Sequence, residues 1–327
     1  MTLGWKSADN VIMSNDRFMI KTRRHFLSKM GACSLGFASM PFLPGSLKSA
    51  EPIVRPGSPR LKPSLAAYSF RDQFSGKGAG PKISMVDFIR YCAQLGLSGA
   101  ELTSYYFEDD TKEYFLNLKK HAFLHGITIS GTAVGNSFTE APGAKRTQQI
   151  KSVKEWIKRA AWLGAPHIRV FAGNLNGQSM SEAKKNCIEA LEECGELAAQ
   201  HGIFLGIENH GGIVAKPEDL VDIVKTVKNP WIGINLDTGN FHTEDPYKAI
   251  AMCAPWAVNV QLKVEIRPQG KDMEKTDMHR IVKILRDTNY QGWVVLEHEK
   301  AENPWKAVPG YFDQLNEAIS AQTIYNK

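Results

Sequence analysis

From residue 64 onward the chain alternates eight short runs of apolar, β-branched and aromatic residues with longer segments of helical period, and no other feature restricts its fold so tightly. The runs begin near Leu65, Ser98, Ile127, His167, Ile203, Trp231, Trp256 and Gly292. Helical stretches are expected over 85–95, 111–125, 153–163, 181–201, 218–227 and 277–288, and several stop at a glycine just before the next run, as at Gly126, Gly164 and Gly202. Such alternation specifies an α/β chain with a parallel sheet and crossover helices. Eight units over roughly 260 residues match a single-domain (β/α)8 TIM barrel. A doubly wound open sheet is the competing fold, but the sequence lacks the G-x-G-x-x-G that a dinucleotide site would place after the first strand.

The formal net charge of +6 raises the question of nucleic acid or an anionic membrane as partner. Its location answers it. Residues 1–50 hold Lys6, Arg17, Lys21, Arg23, Arg24, Lys29 and Lys48 against Asp9 and Asp16, so +5 of the charge lies there and the remainder of the chain is close to neutral. Within that segment Arg23-Arg24-His25-Phe26-Leu27-Ser28-Lys29 precedes an apolar stretch from Met30 to Leu43, too short to span a bilayer. It resembles a twin-arginine export signal. The organisation expected is a signal segment at 1–50, a Pro/Gly-rich tether at 51–63, the barrel at 64–320 and a C-terminal tail at 321–327. The destination is periplasmic or extracytoplasmic, with a soluble mature protein and no stable membrane insertion after signal removal. Homo-oligomers are compatible with this reading. Cys33 lies inside the apolar stretch and reads as incidental. Cys92, Cys187, Cys194 and Cys253 form no C-x-x-C pair and read as buried free thiols.

Barrel chemistry comes from the carboxyl ends of strands. The fifth run ends in Gly206-Ile207-Glu208-Asn209-His210, the sixth in Asn235-Leu236-Asp237-Thr238-Gly239-Asn240, the seventh in Asn259-Val260-Gln261-Leu262-Lys263 and the eighth in Leu296-Glu297-His298-Glu299. Four consecutive strands thus offer an oxygen ligand at one level. Carboxylates converging without cations repel one another, and a hard divalent ion relieves this, so Glu208, Asp237, Gln261 and Glu297 form a candidate site for one metal ion. Lys263 follows Gln261 on the same strand face and could polarise a substrate oxygen, or pair with Glu265 or another acid. Arg169 closes the fourth run and could bind a substrate hydroxyl or carboxylate, or form a salt bridge in the barrel wall. Glu101 reads as structural. Tyr68, Phe70, Phe74, Phe171 and Trp305 lie near strand ends or late loops, and Phe70 is the candidate stacking contact for a sugar face.

On the strength of G-I-E-N-H at 206–210, L-D-T-G-N at 236–240 and V-V-L-E at 294–297, residues 64–320 resemble the xylose isomerase-like TIM barrel superfamily. The likeness is to its sugar phosphate isomerase/epimerase branch, which includes ketose 3-epimerases and inosose dehydratases. The resemblance implies that Glu208, Asp237 and Glu297 are metal ligands, that Glu208 and Glu297 also form an acid/base pair, and that His210 contacts substrate, while Lys263 joins the catalytic set by its place on the strand face. Arg169, Asn240 and Phe70 complete the substrate-binding set. Two departures stand out. Gln261 occupies the seventh-strand position where many relatives have a histidine ligand, and Asn240 ends a D-x-x-N where they often have D-x-x-H. A glutamine carbonyl is a hard oxygen donor, which favours Mn or Mg over Co or Zn.

The implied activity is an isomerase or epimerase that abstracts a proton beside the carbonyl of a non-phosphorylated keto sugar or polyol-derived ketone, since no glycine-rich phosphate cradle is present. Alternatives are a lyase or dehydratase that eliminates a group β to the ketone at the same site, and a catalytically inactive sugar-binding barrel. A DNA-repair endonuclease, which shares this barrel type, would need a basic face and a histidine-rich multi-metal site. The near-neutral barrel and Gln261 argue against nucleic acid as partner. The loops at 136–145 and 267–275 are candidate lids.

Overall fold

The computed structural model describes residues 51–324. The segment at 1–50 read as an export signal, Cys33 within it, and residues 325–327 lie outside the described residues. Seven strands follow in order: β1 (Leu61–Ala66), β2 (Gly99–Thr103), β3 (Thr128–Ala133), β4 (His167–Phe171), β5 (Phe204–Glu208), β6 (Ile232–Asp237) and β7 (Ala257–Lys263). A small antiparallel ribbon of β8 (Glu265–Ile266) and β9 (Glu274–Lys275) comes next, and then β10 (Gly292–Glu297). Barrel strands run parallel to their neighbours, and β1 pairs with both β2 and β10 to close the cylinder. This is the (β/α)8 TIM barrel that the alternation predicts.

Local chemistry sets the helix limits. Ser84 opens helix Met85–Gln94 with a capping box: its hydroxyl accepts from the Asp87 amide at 3.2 Å while the Asp87 carboxylate accepts from the Ser84 amide at 3.0 Å. Ser179 and Glu182 repeat the device at helix Met180–His201. Gly164 and Gly202 end their helices in the left-handed conformation at φ 77° and 66°, where a side chain would be strained. Strand residues that face the helices, among them Ile168, Val170, Leu205, Ile207, Ile234 and Leu236, are buried and make the outer core.

Three boundaries differ from the sequence reading. β1 starts at Leu61 rather than near Leu65, because register with Gly292–Leu296 of β10 recruits Pro63, a residue that counts against a strand in sequence patterning. Residues Ala67–Phe70 then turn as a 3-10 helix. The helix expected at 153–163 runs Ala144–Leu163, since Ile150 extends its buried stripe by a turn, and this takes Ala144 and Lys145 out of the loop at 136–145. The segment read as a tether is held to the amino end of the barrel. Ile53 donates to Pro255 O at 3.0 Å, the Arg55 guanidinium bonds Ala257 O and lies over the Tyr290 ring, and Asn289 and Gln291 donate to Arg55 O and Pro56 O. Cys92, Cys187, Cys194 and Cys253 are buried and free, as expected. No described helix is long and apolar enough to cross a membrane.

Candidate active site

The lumen of such barrels is ordinarily packed with branched apolar side chains. Here its middle is polar. Glu101 of β2, fully buried, accepts from Gln261 Nε2 at 2.6 Å and from Asn259 Nδ2 at 2.9 Å, both on β7. β2 and β7 are not neighbours in the barrel, so these bonds cross the interior. Asn259 Nδ2 also donates to Asn235 Oδ1 at 2.8 Å, and Asn235 Nδ2 donates to Gln261 Oε1 at 2.6 Å, which closes a ring of four side chains. His167 of β4 lies beside it, its Nδ1 3.1 Å from Ser130 O and its Nε2 3.6 Å from Glu101. Gly131 makes room for that imidazole: a Cβ there would stand 1.8 Å from His167 Cε1.

Above this layer, at the carboxyl ends of the strands, lies a charged one. Arg169 Nε is 2.8 Å from Glu208 Oε2, while Arg169 also donates to Val134 O at 3.1 Å and lies over the Phe171 ring. Asn240 donates to Glu208 Oε1 at 2.9 Å and accepts from Lys263 Nζ at 3.0 Å. The Lys263 ammonium stands among acids, 3.2 Å from Asp237, 3.0 Å from Glu299 and 3.8 Å from Glu297. Burial pushes the Glu208 carboxyl up to about 7, with the Arg169 charge opposing it. Glu297 is raised well above the usual carboxylate range and Asp237 is raised too, burial leading in both and Lys263 opposing. Burial would lower the Lys263 ammonium, but the charges of Asp237, Glu297 and Glu299 outweigh it and hold the ammonium protonated.

Backbone clamps fix this layer. Asn209 exchanges two 2.8 Å bonds with Asp237, its Nδ2 donating to the Asp237 carbonyl and its Oδ1 accepting from the Asp237 amide. Asp237 Oδ1 accepts from the Gly239 amide at 2.8 Å, and Thr238 Oγ1 accepts from the Lys263 amide at 3.0 Å. Asn209 sits in the G-I-E-N-H run, yet its bonding is visible only once β5 and β6 are side by side.

Glu208, Arg169, His210, Lys263 and Glu297 line one cavity of about 250 Å³, together with Tyr68, Tyr105, Phe171 and Glu299. Asn240 lines a second cavity of about 300 Å³ that shares Lys263, Glu297 and Glu299 with the first. His210 packs on Phe171 with ring centroids 4.6 Å apart, and burial followed by the Arg169 and Lys263 charges lowers its pKa. Asp237 and Gln261 line neither cavity. Phe70 corrects the sequence reading: it is fully buried among Phe88, Tyr91 and Trp305 and lines neither cavity, because the 3-10 turn after β1 drives its ring into the core. Sequence reasoning passed over Tyr105 and Glu299. A period-2 reading of the E-H-E at 297–299 places Glu299 on the face of Glu297, whereas Tyr105 follows a strand of ordinary composition and carried no signal.

The oxygen donors suit a hard divalent ion. Asp237 Oδ2 is buried with the Lys263 ammonium 3.2 Å away, and Gln261 Oε1 accepts only from Asn235, leaving one lone pair. Among the described residues no three Asp, Glu, His or Cys side chains already converge on one point. Asp237 pairs in register with Gln261 on β7, and Glu297 with Lys263. The Lys263 ammonium stands 3.2 Å from Asp237 and 3.8 Å from Glu297, where its charge offsets both acids.

Residues 89–315 match the model of the xylose isomerase-like TIM barrel family. A curated relative, an uncharacterised protein of Methanocaldococcus jannaschii, is 22% identical over 193 residues, a match spanning 54% of this chain and 66% of the relative. D-psicose 3-epimerase, solved in the presence of D-fructose, superimposes with a TM-score of 0.66 at 17% identity, covering 80% of this chain and 98% of the epimerase. The probable 3-DHS dehydratase of petrobactin synthesis from Bacillus anthracis gives 0.59 at 20% identity, covering 78% and 98%. At these identities the likeness to the solved structures is one of fold. The family model spans more than half of the sequence, and the chain belongs to the xylose isomerase-like TIM barrel family.

Proposed function

We propose that this barrel is an isomerase or epimerase that moves a proton at the carbon beside the carbonyl of a non-phosphorylated keto sugar. One observation carries the reading: two buried carboxyls, Glu208 and Glu297, line a single cavity from strands with β6 and β7 between them, each beside its own cation, Arg169 or Lys263. Glu208, Asp237, Gln261 and Glu297 would hold one divalent ion, Mn or Mg ahead of Co or Zn, and the ion when bound supplies Lewis-acid polarisation of the carbonyl.

The chain's own groups do the rest. Tyr68, Tyr105, Phe171 and His210 present the rings that take the C–H face of a sugar. One carboxylate takes the proton from carbon, the electron pair of that C–H bond becomes the carbon–carbon π bond, and the carbonyl π pair moves onto oxygen to give an enediolate. Lys263 faces the developing negative charge. The other carboxyl returns a proton, to the opposite face of the same carbon in epimerisation or to the neighbouring carbon in isomerisation, where the hydroxyl proton also passes from the first carbon's oxygen to the former carbonyl oxygen. The Glu208 carboxyl, near neutrality, suits either direction of transfer. β-Elimination at the same site is a second reading, favoured by a third carboxylate at the cavity edge, Glu299, 3.0 Å from Lys263.

The test is deuterium wash-in. Ketoses and keto-glycosides incubated with the full chain in D2O should gain one deuterium beside the carbonyl, and loss of mass in the product would identify elimination instead. Glu208→Gln and Glu297→Gln should each lower exchange by about 10²–10⁴-fold. Elemental mass spectrometry should find about one ion per chain, lost in Glu208→Ala and Glu297→Ala. Exchange that survives both glutamine variants refutes the acid/base pair, and wild-type protein that takes up no ion refutes the metal centre. No exchange with any sugar, alongside measurable sugar binding, would leave a binding barrel.

A further inference from the structure

Two cavities meet at the wall formed by Lys263, Glu297 and Glu299. The proton-transfer reading uses only the one that contains Glu208. We propose that the other is a second sugar subsite, so that the substrate is a disaccharide whose ketone-bearing ring sits beside Glu208 and Glu297 while its partner ring lies beside Asn240, Arg267 and Lys300. This inference rests on the proton-transfer reading for the placement of the ketone.

Size is the first argument. Pockets that enclose a drug-sized molecule run from about 300 to about 1,000 Å³. At about 250 and 300 Å³ each cavity falls at or below the lower end of that range and suits one ring, whereas the two jointly suit a molecule of two. Position is the second. Glu297 lines both cavities and Glu208 only the first, so a substituent on the reacting ring that passes Glu297 and Lys263 enters the second.

Chemistry separates the two. The first cavity carries Tyr68, Tyr105 and Phe171, faces for a ring held at fixed orientation. The second has no Phe, Tyr or Trp in its lining and presents Asn240, His242, Glu265, Arg267 and Lys300, groups that hydrogen-bond hydroxyls. The Arg267 guanidinium makes no hydrogen bond or ion pair among the described residues, and Lys300 makes only exposed ion pairs with Glu265 and Glu302 at 3.6 and 3.5 Å. Such donors exchange water for sugar hydroxyls with little else to break. An apolar substituent would find only Val264 and Met273.

The test uses maltose oxidised to the ketone at C3 of its non-reducing ring beside glucose oxidised at the same carbon. Binding to the full chain, supplied with Mn, is measured by calorimetry, and deuterium wash-in is run on the same samples. The disaccharide should bind at least tenfold more tightly than the monosaccharide. The double variant Arg267→Ala/Lys300→Ala, both at exposed positions where folding is not at stake, should bring that ratio below threefold. Equal affinities, or a ratio that the double variant leaves alone, overturn the second subsite, and wash-in with both sugars would then leave the proton-transfer reading standing. Tighter disaccharide binding with no wash-in from either sugar overturns the proton-transfer reading and keeps the subsite.

Discussion

Glutamine at position 101 matches glutamate in shape, yet it should destabilise this barrel, and the reason is a matter of parity. Around the lumen ring, Glu101 offers an acceptor to both neighbours, Asn259 offers one nitrogen to both, and Gln261 and Asn235 each offer one donor and one acceptor. Donors match acceptors only because one member is acceptor-only. With Glu101→Gln, whichever way the amides flip, one contact faces like with like in a buried place. A buried polar group left unmatched costs about 1–3 kcal/mol. At about 2–4 °C per kcal/mol for a domain approaching this size, the melting point should fall by roughly 5 °C. Gln261→Glu alone sets carboxylate against carboxylate and should also destabilise. The double variant Glu101→Gln/Gln261→Glu restores every match. The amide placed at position 101 accepts from Asn259 and donates to the carboxylate placed at position 261, which also accepts from Asn235, while Asn259 still donates to Asn235. The double variant should therefore be more stable than the sum of the single changes by at least about 1 kcal/mol, a coupling typical of side chains in one network. Guanidinium unfolding followed by circular dichroism, with a chelator present so that metal linkage does not contribute, measures all four proteins. A Glu101→Gln protein within about 0.5 kcal/mol of wild type, or single effects that add in the double, would refute the ring as drawn.

Gly131→Ala drives a Cβ into the His167 imidazole, which is itself buried, so overpacking should lower stability by about 1–3 kcal/mol in the same unfolding assay; a neutral result would mean that the imidazole has room to move. Asp87→Asn removes the charged half of the capping box at helix Met85–Gln94 and should cost about 0.5–1 kcal/mol at pH 7. Bonds from Ser84, first its side chain and then its backbone, hold the Asp87 carboxyl below its usual range. Its contribution is therefore present above the unfolded carboxylate pKa and lost as pH falls through the folded one. The melting difference between wild type and Asp87→Asn should shrink as the pH drops below about 4, and a difference constant down to pH 2 would contradict the assignment.

The fold was legible because its signal is local. The helix stops at Gly164 and Gly202 are written in single residues, and the eight strand runs are short and apolar enough to stand out. What escaped was set by pairing. Pro63 joins a strand because β10 lies beside it, and Ile150 becomes helical because the barrel wall offers its stripe a surface to bury against. Phe70 looks like a ligand-stacking ring from its place after the first strand. The 3-10 turn that buries it is decided by Phe88, Tyr91 and Trp305, residues far away in the chain.

Within the site, the decisive unread quantity was register. Asn259, Gln261 and Lys263 alternate on β7 and all reach the lumen, but each step of two residues climbs about 6.6 Å, so side chains of one face serve different layers. Asn259 and Gln261 are tied to Glu101 below, and Lys263 reaches Asp237, Glu297 and Glu299 above. Gln261 thus belongs to the polar ring as well as to the strand end where the sequence reading placed it. This changes what the glutamine is for. Its nitrogen is held by a buried carboxylate and its oxygen by Asn235, so the amide cannot rotate without breaking two bonds, and the oxygen's remaining lone pair keeps a fixed direction. A neutral donor held in this way adds no charge to an already acidic layer and needs no deprotonation to act. Glu101, merely structural by its place in the sequence, is the residue that orients Gln261. The stability of the ring and the affinity of the site for an ion should therefore fall together in Glu101→Gln.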